Sequence, residues 1–360
     1  MSLNKMFALI RDKGQTMQRK VILLFGGESQ ERLVSVATAQ NLSRFVPNAL
    51  CWFWAPDEAV YQVDYAFLQS HKDPFKSAFE VATPALFDTL QTALDCPDYR
   101  DHIFLLGLHG GRGEDGTVQK WFEDRDLMFT GSPSEACAKA FDKVWAKRIV
   151  AQHGVKMAPT LVIRSTDESS KRALETLYIS HGKIVVKPVH DGSSVGLCII
   201  DNDHALQAAL DMVCSQADRP FIAEPFVPGT ELTIGVIDEE NGPRALPCTE
   251  IRAQEGRTFD YNGKYLGLGV QEITPAEVPS EWCKKAQEVA IAAHKALGCI
   301  GYSRTDLIMS EGEPYFLETN TLPGLTRASL VPQQLAAEGT SMVAFLEHVL
   351  GMAEKHRAQK

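Results

Sequence analysis

Four polar residues near the end of the chain have the types and the spacing of a metal site. Arg304 and Asp306 lie in one apolar segment, and Glu318 and Asn320 lie in the next. The two segments predict strands that are joined by a turn centred on Gly312. Such a hairpin places Asp306 opposite Glu318. It also places Arg304 opposite Asn320, and all four side chains share one face because strand side chains alternate.

The chemistry of these side chains favours Mg2+ bound beside phosphate. Two opposed carboxylates repel each other unless a cation or a shared proton lies between them. Oxygen ligands from Asp306, Glu318 and Asn320 suit Mg2+, which commonly binds one or two carboxylates together with substrate phosphates. Arg304 beside them can hold a phosphoryl oxygen or a developing oxyanion. A solvated face of mixed charge is the alternative, and the apolar character of both strands disfavours it.

Two lysines are candidates for phosphate contacts, although the sequence leaves other roles open. Lys187 ends a buried strand and precedes a loop of small polar residues, whose N–H groups and hydroxyls can bind phosphate. A structural lysine with its ammonium group near solvent has the same pattern. Lys143 is predicted in the middle of a helix, where an exposed lysine is the simpler interpretation. Neither residue decides the function by itself.

Glu31 and His109 each follow a glycine-rich strand end, where functional residues are common. Glu31 comes shortly after Gly26 and Gly27 and can receive a substrate ammonium group. From position alone, a glutamate in the first turn of a helix that interacts with the helix dipole is the favoured interpretation. His109 precedes a glycine loop, and a hydrogen-bonded structural histidine is an equal alternative.

These residues must be positioned by several structural units. Strand, glycine loop and helix alternate through residues 19–132, which predicts an α/β unit with a parallel sheet. Residues 133–224 begin with a helix that is predicted to be capped by Ser132 and to continue toward His153. Residues 225–356 contain further strands, a long helix and the metal hairpin. We therefore predict an α/β fold of three domains with these limits.

Composition and charge narrow the class of protein. The 360 residues are 44% hydrophobic and 23% charged, which is typical of globular proteins. A formal net charge of -10 argues against a nucleic-acid partner. The cysteines form neither a C-x-x-C pair nor a zinc-type spacing, so reduced thiols are expected. Because no apolar run suits a signal peptide or a membrane helix, we expect a cytoplasmic protein without a membrane partner.

The motifs, in their order along the chain, resemble the D-alanine–D-alanine ligase family. The similarity covers about residues 19 to 352, and its specificity comes from the order of the motifs rather than from any one of them. The matching segments are GGESQERLVS at 26–35, HGGRGEDG at 109–116, DK at 142–143, KPVHDGSSVG at 187–196, DYNGKY at 260–265, RTD at 304–306, ETNTLPGLT at 318–326 and SLVP at 329–332.

The resemblance implies a three-domain ATP-grasp fold with an N-terminal Rossmann-like parallel-sheet domain and with ATP between the second and third domains. The implied catalytic residues are Glu31, Ser193, Tyr265, Arg304 and Gly324. The implied substrate-binding residues are His109, Ser329 and Leu330. The implied ATP-binding residues are Lys143, Lys187, Glu224, Val227, Glu231 and Lys264. The implied ligands of two Mg2+ ions, with Mn2+ as an alternative, are Asp306, Glu318 and Asn320.

The resemblance also implies the reaction and its partners. ATP would activate the carboxylate of one D-alanine as an acyl phosphate, and the amine of a second D-alanine would attack it for peptidoglycan precursor synthesis. Glu31 would bind the ammonium group of the first D-alanine, braced by Ser193 and Tyr265. The segment 256–269 would close as a lid with Lys264. A homodimer is implied as the assembly.

Some positions depart from the family pattern, and they keep alternatives open. Arg327 and Ala328 replace a usual Ser-His pair beside Ser329. A ligase of the same fold with another second substrate, such as D-lactate, D-serine or another amino acid, is therefore the alternative. Tyr265 matches the relatives that make the dipeptide. A regulatory module without catalysis is disfavoured by the intact metal set, and a dehydrogenase is disfavoured because no G-x-G-x-x-G follows the first strand.

Overall fold

The computed structural model describes residues 19–164, 167–190, 196–216, 219–253 and 270–358. Within these ranges the strands form three sheets, and each sheet takes its strands from one continuous stretch of the chain. Within the same ranges, no helix is long and apolar enough to cross a membrane.

The first sheet is built from the N-terminal strands β1 (Val21–Gly26), β2 (Leu50–Trp54), β3 (Val60–Val63), β4 (Ile103–Leu106) and β5 (Met128–Phe129). Its order is β3-β2-β1-β4-β5, and the neighbours run in parallel except for β2 and β3. The helices of this stretch are α1 (Arg32–Leu42), α2 (Tyr65–Ser70), α3 (Leu90–Leu94) and α4 (Thr117–Glu123). Because β1 and β4 are parallel neighbours, the loops that follow them meet at one edge.

The second stretch forms an antiparallel sheet and begins with two helices. Its elements are α5 (Ser134–Phe141), α6 (Lys143–Ala151), β6 (Leu161–Ile163), α7 (Glu168–His181), β7 (Ile184–Pro188), β8 (Cys198–Ile200), α8 (Asp203–Ser215) and β9 (Phe221–Pro225). The strand order is β6-β9-β7-β8. β7 and β8 pair in an antiparallel manner, as predicted for the hairpin around the small polar loop.

The third stretch supplies the largest sheet. Its elements are β10 (Thr230–Glu239), β11 (Gly242–Ala245), β12 (Thr249–Ala253), β13 (Val270–Ile273), α9 (Ser280–Leu297), β14 (Tyr302–Ser310), β15 (Glu313–Asn320), α10 (Leu330–Ala337) and α11 (Met342–Ala358). The strand order is β13-β12-β10-β14-β15, and β11 pairs with β10. The pairings in this sheet are antiparallel.

Two helical segments pack on a sheet that is distant in sequence. α11 places Phe345 and Val349 in the core of the first sheet, so the end of the chain covers the beginning. α6 packs through Ala146 and Val150 against α9 and β15. Burial of these apolar faces joins the three stretches into one packed unit. The predicted domain limits at 132 and 224 stay a prediction.

The predicted continuous helix after Ser132 is wrong in two respects. The hydroxyl of Ser132 bonds the backbone of Ile300 instead of capping a helix, and α5 begins at Ser134. The helix then breaks at Asp142, whose extended backbone has φ -85° and ψ 105°. The Asp142 carboxylate accepts hydrogen bonds from the backbone N–H groups of Val144 and Trp145, two and three residues further on, and so begins α6. Lys143 therefore lies in the first turn of a new helix rather than mid-helix.

The metal hairpin has the predicted pairing, with Asp306 opposite Glu318 and Arg304 opposite Asn320. A turn centred on Gly312 would have three residues, 311–313, between the strands. The observed turn has two, because Ser310 pairs with Glu313. Glu311 and Gly312 both have positive φ, of 52° and 77°, as a two-residue type I′ turn requires. A β-bulge after Asp306 inserts one extra residue on β15 and restores the predicted register.

The break at Asp142 generates a stability prediction. We expect Asp142→Ala to lower the free energy of unfolding by about 1 kcal/mol, because two N–H groups of α6 lose their acceptor. Denaturant unfolding followed by circular dichroism measures the change. Asp142→Asn keeps an acceptor oxygen and is the matched control. An equal loss in both variants would contradict capping as the cause.

Candidate functional site

The loops after β1 and β4 touch at the edge of the first sheet. Glu31 ends the first loop, directly before α1, and Gly110 lies in the second loop with a positive φ of 67°. A β-carbon on Gly110 would lie 2.6 Å from a carboxylate oxygen of Glu31. Only glycine combines this backbone conformation with so close an approach. The structure therefore places the Glu31 carboxylate against the loop that carries His109.

His109 is buried between the first sheet and a loop of the third stretch. Its Nε2 lies 2.8 Å from the hydroxyl of Thr38, and its Nδ1 lies 3.7 Å from the carboxylate of Glu114. A β-carbon on Gly324 would lie 4.0 Å from the His109 ring and 2.8 Å from the hydroxyl of Ser329. The structure thus brings together four predicted residues that belong to distant motifs, namely Glu31, His109, Gly324 and Ser329.

Ser329 directly precedes α10, and its hydroxyl stabilises the loop before it. The hydroxyl accepts a hydrogen bond from the N–H of Thr326 at 3.0 Å and lies 2.7 Å from the Thr326 hydroxyl. Leu330, the first residue of α10, is buried. Arg327, which replaces the usual serine of the family, is exposed. The loop is joined to the first sheet because Asn41 donates a hydrogen bond to the carbonyl of Leu325 at 2.8 Å.

The carboxylate of Asp306 is buried and fully engaged by its neighbours. Arg304 donates two hydrogen bonds to it, from Nε at 2.9 Å and from Nη2 at 2.8 Å. Thr233 on β10 donates a further short hydrogen bond, and Asn320 approaches at 3.4 Å. Two members of the predicted set, Arg304 and Asn320, therefore converge on the carboxylate of a third, Asp306. The bidentate arginine supplies the positive charge that a buried carboxylate needs.

Glu318, directly opposite Asp306, has its own cation. Lys143 Nζ lies 3.3 Å from a Glu318 carboxylate oxygen, and the side chains of both residues are largely buried. A cleft opens here, lined by Glu114, Ala140, Phe141, Lys143, Glu318, Thr319, Asn320 and Thr321. Glu114 comes from the His109 loop, so this cleft connects the first sheet to the metal hairpin.

The residues of the hairpin fit a divalent cation by donor chemistry. Within the described ranges no group of three His, Cys, Asp or Glu side chains could hold a metal ion. The predicted set instead combines two carboxylates with the amide oxygen of Asn320, all on one hairpin end. Oxygen-only donors of this kind suit Mg2+ shared with phosphate. Arg304 and Lys143 balance the charge of the two carboxylates in the structure.

A second buried charge cluster surrounds Glu224 at the end of β9. Lys147 Nζ lies 2.6 Å from one carboxylate oxygen, Lys187 Nζ lies 3.7 Å from the other, and Thr160 donates a hydrogen bond at 2.5 Å. Glu224 is only 4% exposed. Burial raises the pKa of the Glu224 carboxyl, but Lys187 and Lys147 outweigh burial and hold that pKa below its usual value. Glu224 is therefore ionised at neutral pH.

The remaining predicted nucleotide residues lie near this cluster in the chain. Val227 is half-buried in the segment after β9, and Glu231 is half-buried at the start of β10. Ser193, Lys264 and Tyr265 lie outside the described residues. Their predicted roles stay predictions.

Three buried residues that support these clusters, Lys147, Thr233 and Gln334, were not predicted from the sequence. Lys147 follows Lys143 by four residues, and this i,i+4 spacing on one helix face was the signal that could have found it. Thr233 and Gln334 gave no such signal. Gln334 on α10 donates to the carbonyl of Thr233 at 2.9 Å and accepts from the N–H of Gly235 at 2.9 Å, which fixes the part of β10 that contacts Asp306.

Comparison with known proteins agrees with this geometry. The family model of the D-ala D-ala ligase N-terminus matches residues 20–132, and that of the D-ala D-ala ligase C-terminus matches residues 149–351. A D-alanine--D-alanine ligase of Leptospira interrogans serogroup Icterohaemorrhagiae serovar Lai (strain 56601) is 38% identical over 346 residues, which cover 90% of this chain and 95% of the relative.

Solved structures show the same fold. The VanG D-Ala:D-Ser ligase from Enterococcus faecalis has a TM-score of 0.76 at 24% identity, with 93% of this chain and 99% of that chain covered. The D-alanine--D-alanine ligase from Bacillus anthracis has a TM-score of 0.73 at 26% identity, with 95% and 99% covered. The fold and site therefore define an enzyme of the ATP-grasp class with a Rossmann-like N-terminal sheet. The chain belongs to the D-alanine–D-alanine ligase family.

The Glu224 cluster generates a prediction about stability. We expect Lys147→Met to lower the free energy of unfolding by about 3 kcal/mol, because it leaves a buried carboxylate without its nearest cation. Denaturant titration at pH 7 measures the loss. Lys120→Met, which removes the exposed pair with Asp124, is the control and should leave stability unchanged. Equal values for the two variants would refute a structural role of the buried pair.

Proposed function

We propose that the chain catalyses the ATP-dependent ligation of two D-alanines to D-alanyl-D-alanine. The proposal rests on family membership and on one observation in the site. Asp306, Glu318 and Asn320 lie together on one hairpin end, with Arg304 and Lys143 beside them. Glu114 lines the same cleft as Glu318 and lies beside His109. A bound amino acid could therefore contact the Glu114 carboxylate and the buried His109 ring.

The first half of the reaction is phosphoryl transfer to the first D-alanine. Glu31 binds the ammonium group of that D-alanine, which leaves its carboxylate free to attack the γ-phosphate of ATP. An oxygen–phosphorus bond forms, the bond to the β-phosphate oxygen breaks, and ADP leaves. Lys143 and Lys187 offset the phosphate charge during this step. Glu224, Val227 and Glu231 hold adenine and ribose, consistent with the ionised state of Glu224.

The divalent ions belong to this half of the reaction. Asp306, Glu318 and Asn320 would hold two Mg2+ ions, or Mn2+, which when bound neutralise charge on the transferred phosphoryl group. Support for this assignment comes from the all-oxygen donor set and from the two cations that balance the carboxylates in the structure. Arg304, which pairs with Asp306 in the structure, is the residue that would contact the phosphoryl oxygens.

The second half of the reaction forms the peptide bond. The amine of the second D-alanine attacks the acyl-phosphate carbonyl, its nitrogen loses a proton, and phosphate leaves. Arg304 and the backbone N–H of Gly324 stabilise the tetrahedral oxyanion, and one such donor is worth about 3 kcal/mol. Ser329 and Leu330 receive the carboxylate of the second D-alanine at the start of α10. Ser193, Tyr265 and Lys264 are proposed to brace Glu31 and to close the site.

A product assay tests the proposed function. We expect phosphate release from ATP and Mg2+ with D-alanine but not with L-alanine, and D-alanyl-D-alanine as the product by mass spectrometry. Reactions with D-alanine plus D-lactate or D-serine measure the acceptor preference at the exposed Arg327. If the only product contains D-lactate or D-serine in place of the second D-alanine, that acceptor would replace D-alanine as the assigned second substrate. Absence of phosphate release with every amino acid would contradict the ligase activity.

A substitution in the hairpin tests the metal assignment. We expect Glu318→Gln to reduce kcat by at least about a hundredfold, because it removes a charge from the divalent ions and from Lys143. Glu313→Gln on the same strand is the matched control, since Glu313 pairs with Lys156 and Lys285 away from the cleft. A near-normal kcat for Glu318→Gln at saturating Mg2+ would refute the assignment.

The homodimer implied by the resemblance also stays part of this proposal. Light scattering coupled to gel filtration tests it, with a mass of twice the 39.7 kDa of one chain as the expected result. A mass of one chain at micromolar concentration would contradict it.

A further inference from the structure

Arg112 lies at the centre of an ion-pair network that the proposed reaction does not use. Its Nε donates to a carboxylate oxygen of Glu28 at 2.9 Å, and its own backbone N–H contacts the same oxygen at 3.3 Å. Its Nη2 donates a short hydrogen bond to Glu58, and its Nη1 lies 3.4 Å from the other oxygen of Glu58. We call these three side chains the Arg112 bridge.

Two tryptophans hold the guanidinium of Arg112 in place. Its central carbon lies 4.9 Å from the ring centroid of Trp54 and 5.5 Å from that of Trp121. Trp54 ends β2, and Trp121 belongs to α4, so the contacts come from two different elements, whose two rings lie 6.2 Å apart between centroids. A guanidinium near aromatic faces and paired with two carboxylates has little freedom to reorient.

The three partners of the bridge come from three different strand ends. Glu28 belongs to the loop after β1, Arg112 to the loop after β4, and Glu58 to the turn between β2 and β3. Glu58 has a positive φ of 78°, a conformation that costs a non-glycine residue energy. An ion pair to Arg112 offsets that cost. The bridge therefore fixes the relative positions of three loops at the same edge of the sheet.

The bridge lies next to the contact between the Glu31 and His109 loops. Beside Arg112, a β-carbon on Gly111 would lie 3.2 Å from the Glu28 carboxylate. One residue earlier, a β-carbon on Gly110 would lie 2.6 Å from the Glu31 carboxylate. The carboxylates of Glu28 and Glu31 thus lie against consecutive residues of one loop. A shift of that loop displaces the Glu31 carboxylate directly.

We propose that Arg112 is a positioning residue for the first D-alanine, because the Arg112 bridge holds the Glu31 carboxylate in register with the His109 loop. The inference rests on the proposed function, in which Glu31 binds the ammonium group of that substrate. Arg112 itself does not contact the nucleotide residues, whose cluster surrounds Glu224. The bridge therefore acts on affinity for the first amino acid and leaves ATP binding unchanged.

Steady-state kinetics of Arg112→Met test the proposal, with Arg244→Met as the matched control. Arg244 also pairs with two glutamates, Glu239 and Glu338, with similar exposure. We expect Arg112→Met to raise the KM for the first D-alanine about tenfold while kcat and the KM for ATP change less than twofold. Arg244→Met should change none of these values. An unchanged KM for D-alanine, or an equal rise in both variants, would overturn the inference.

Two further measurements separate this inference from the proposed function and from loss of folding. Arg112→Lys keeps the positive charge but cannot bond Glu28 and Glu58 in the way that the guanidinium does. Its KM for the first D-alanine should therefore lie between those of the wild type and Arg112→Met. Hydrogen exchange should become faster at residues 26–31 and 109–113 in Arg112→Met but not in Arg244→Met. An inactive wild-type enzyme would contradict the proposed function. In that case the hydrogen-exchange comparison would still show whether the Arg112 bridge holds the two loops. Unchanged exchange at both segments would overturn the bridge itself.

Discussion

The arrangement of the cleft depends on the cost of burying carboxylates close to one another. Asp306, Glu318 and Glu224 each have a largely buried side chain, and each has a cation within 4.0 Å. Such groups are stable only when opposite charge and hydrogen bonds replace water. The second and third stretches of the chain meet where these charges balance, since Lys143 and Lys147 from α6 contact acids on two different sheets. Charge balance therefore acts together with the apolar contacts of Ala146 and Val150 in placing α6.

Periodic features of the structure were predictable, and irregular ones were not. The pairing of Asp306 with Glu318 follows from alternation along two apolar strands, and the structure has that pairing. The turn is one residue shorter than predicted, and the bulge adds one residue on β15. The two differences cancel, so the predicted pairing of Asp306 with Glu318 is correct although the predicted turn is not. The helix break at Asp142 depends on its contacts with α6 and on a hydrogen bond from Lys143 to Val189. Such tertiary contacts leave no periodic signal in the sequence.

The candidate site was predictable where motifs met at strand ends. Glu31 and His109 follow neighbouring parallel strands, so their proximity required only the strand order of the first sheet. The proximity of His109 to Gly324 connects residues more than two hundred positions apart, and only the family resemblance indicated it. Lys147 was not predicted because a buried lysine is rare. Its partner Glu224 lies on β9, far from α6 in the sequence, so the pair leaves no local signal.

The position of α11 has a consequence for the synthesis of the protein. Phe345 and Val349 belong to the core of the first sheet, although β5, the last strand of that sheet, precedes them by more than two hundred residues. During translation, the N-terminal sheet therefore cannot complete its core until α11 has been made. The apolar surface that α11 covers stays accessible until then, which is the state in which partly synthesised chains meet chaperones.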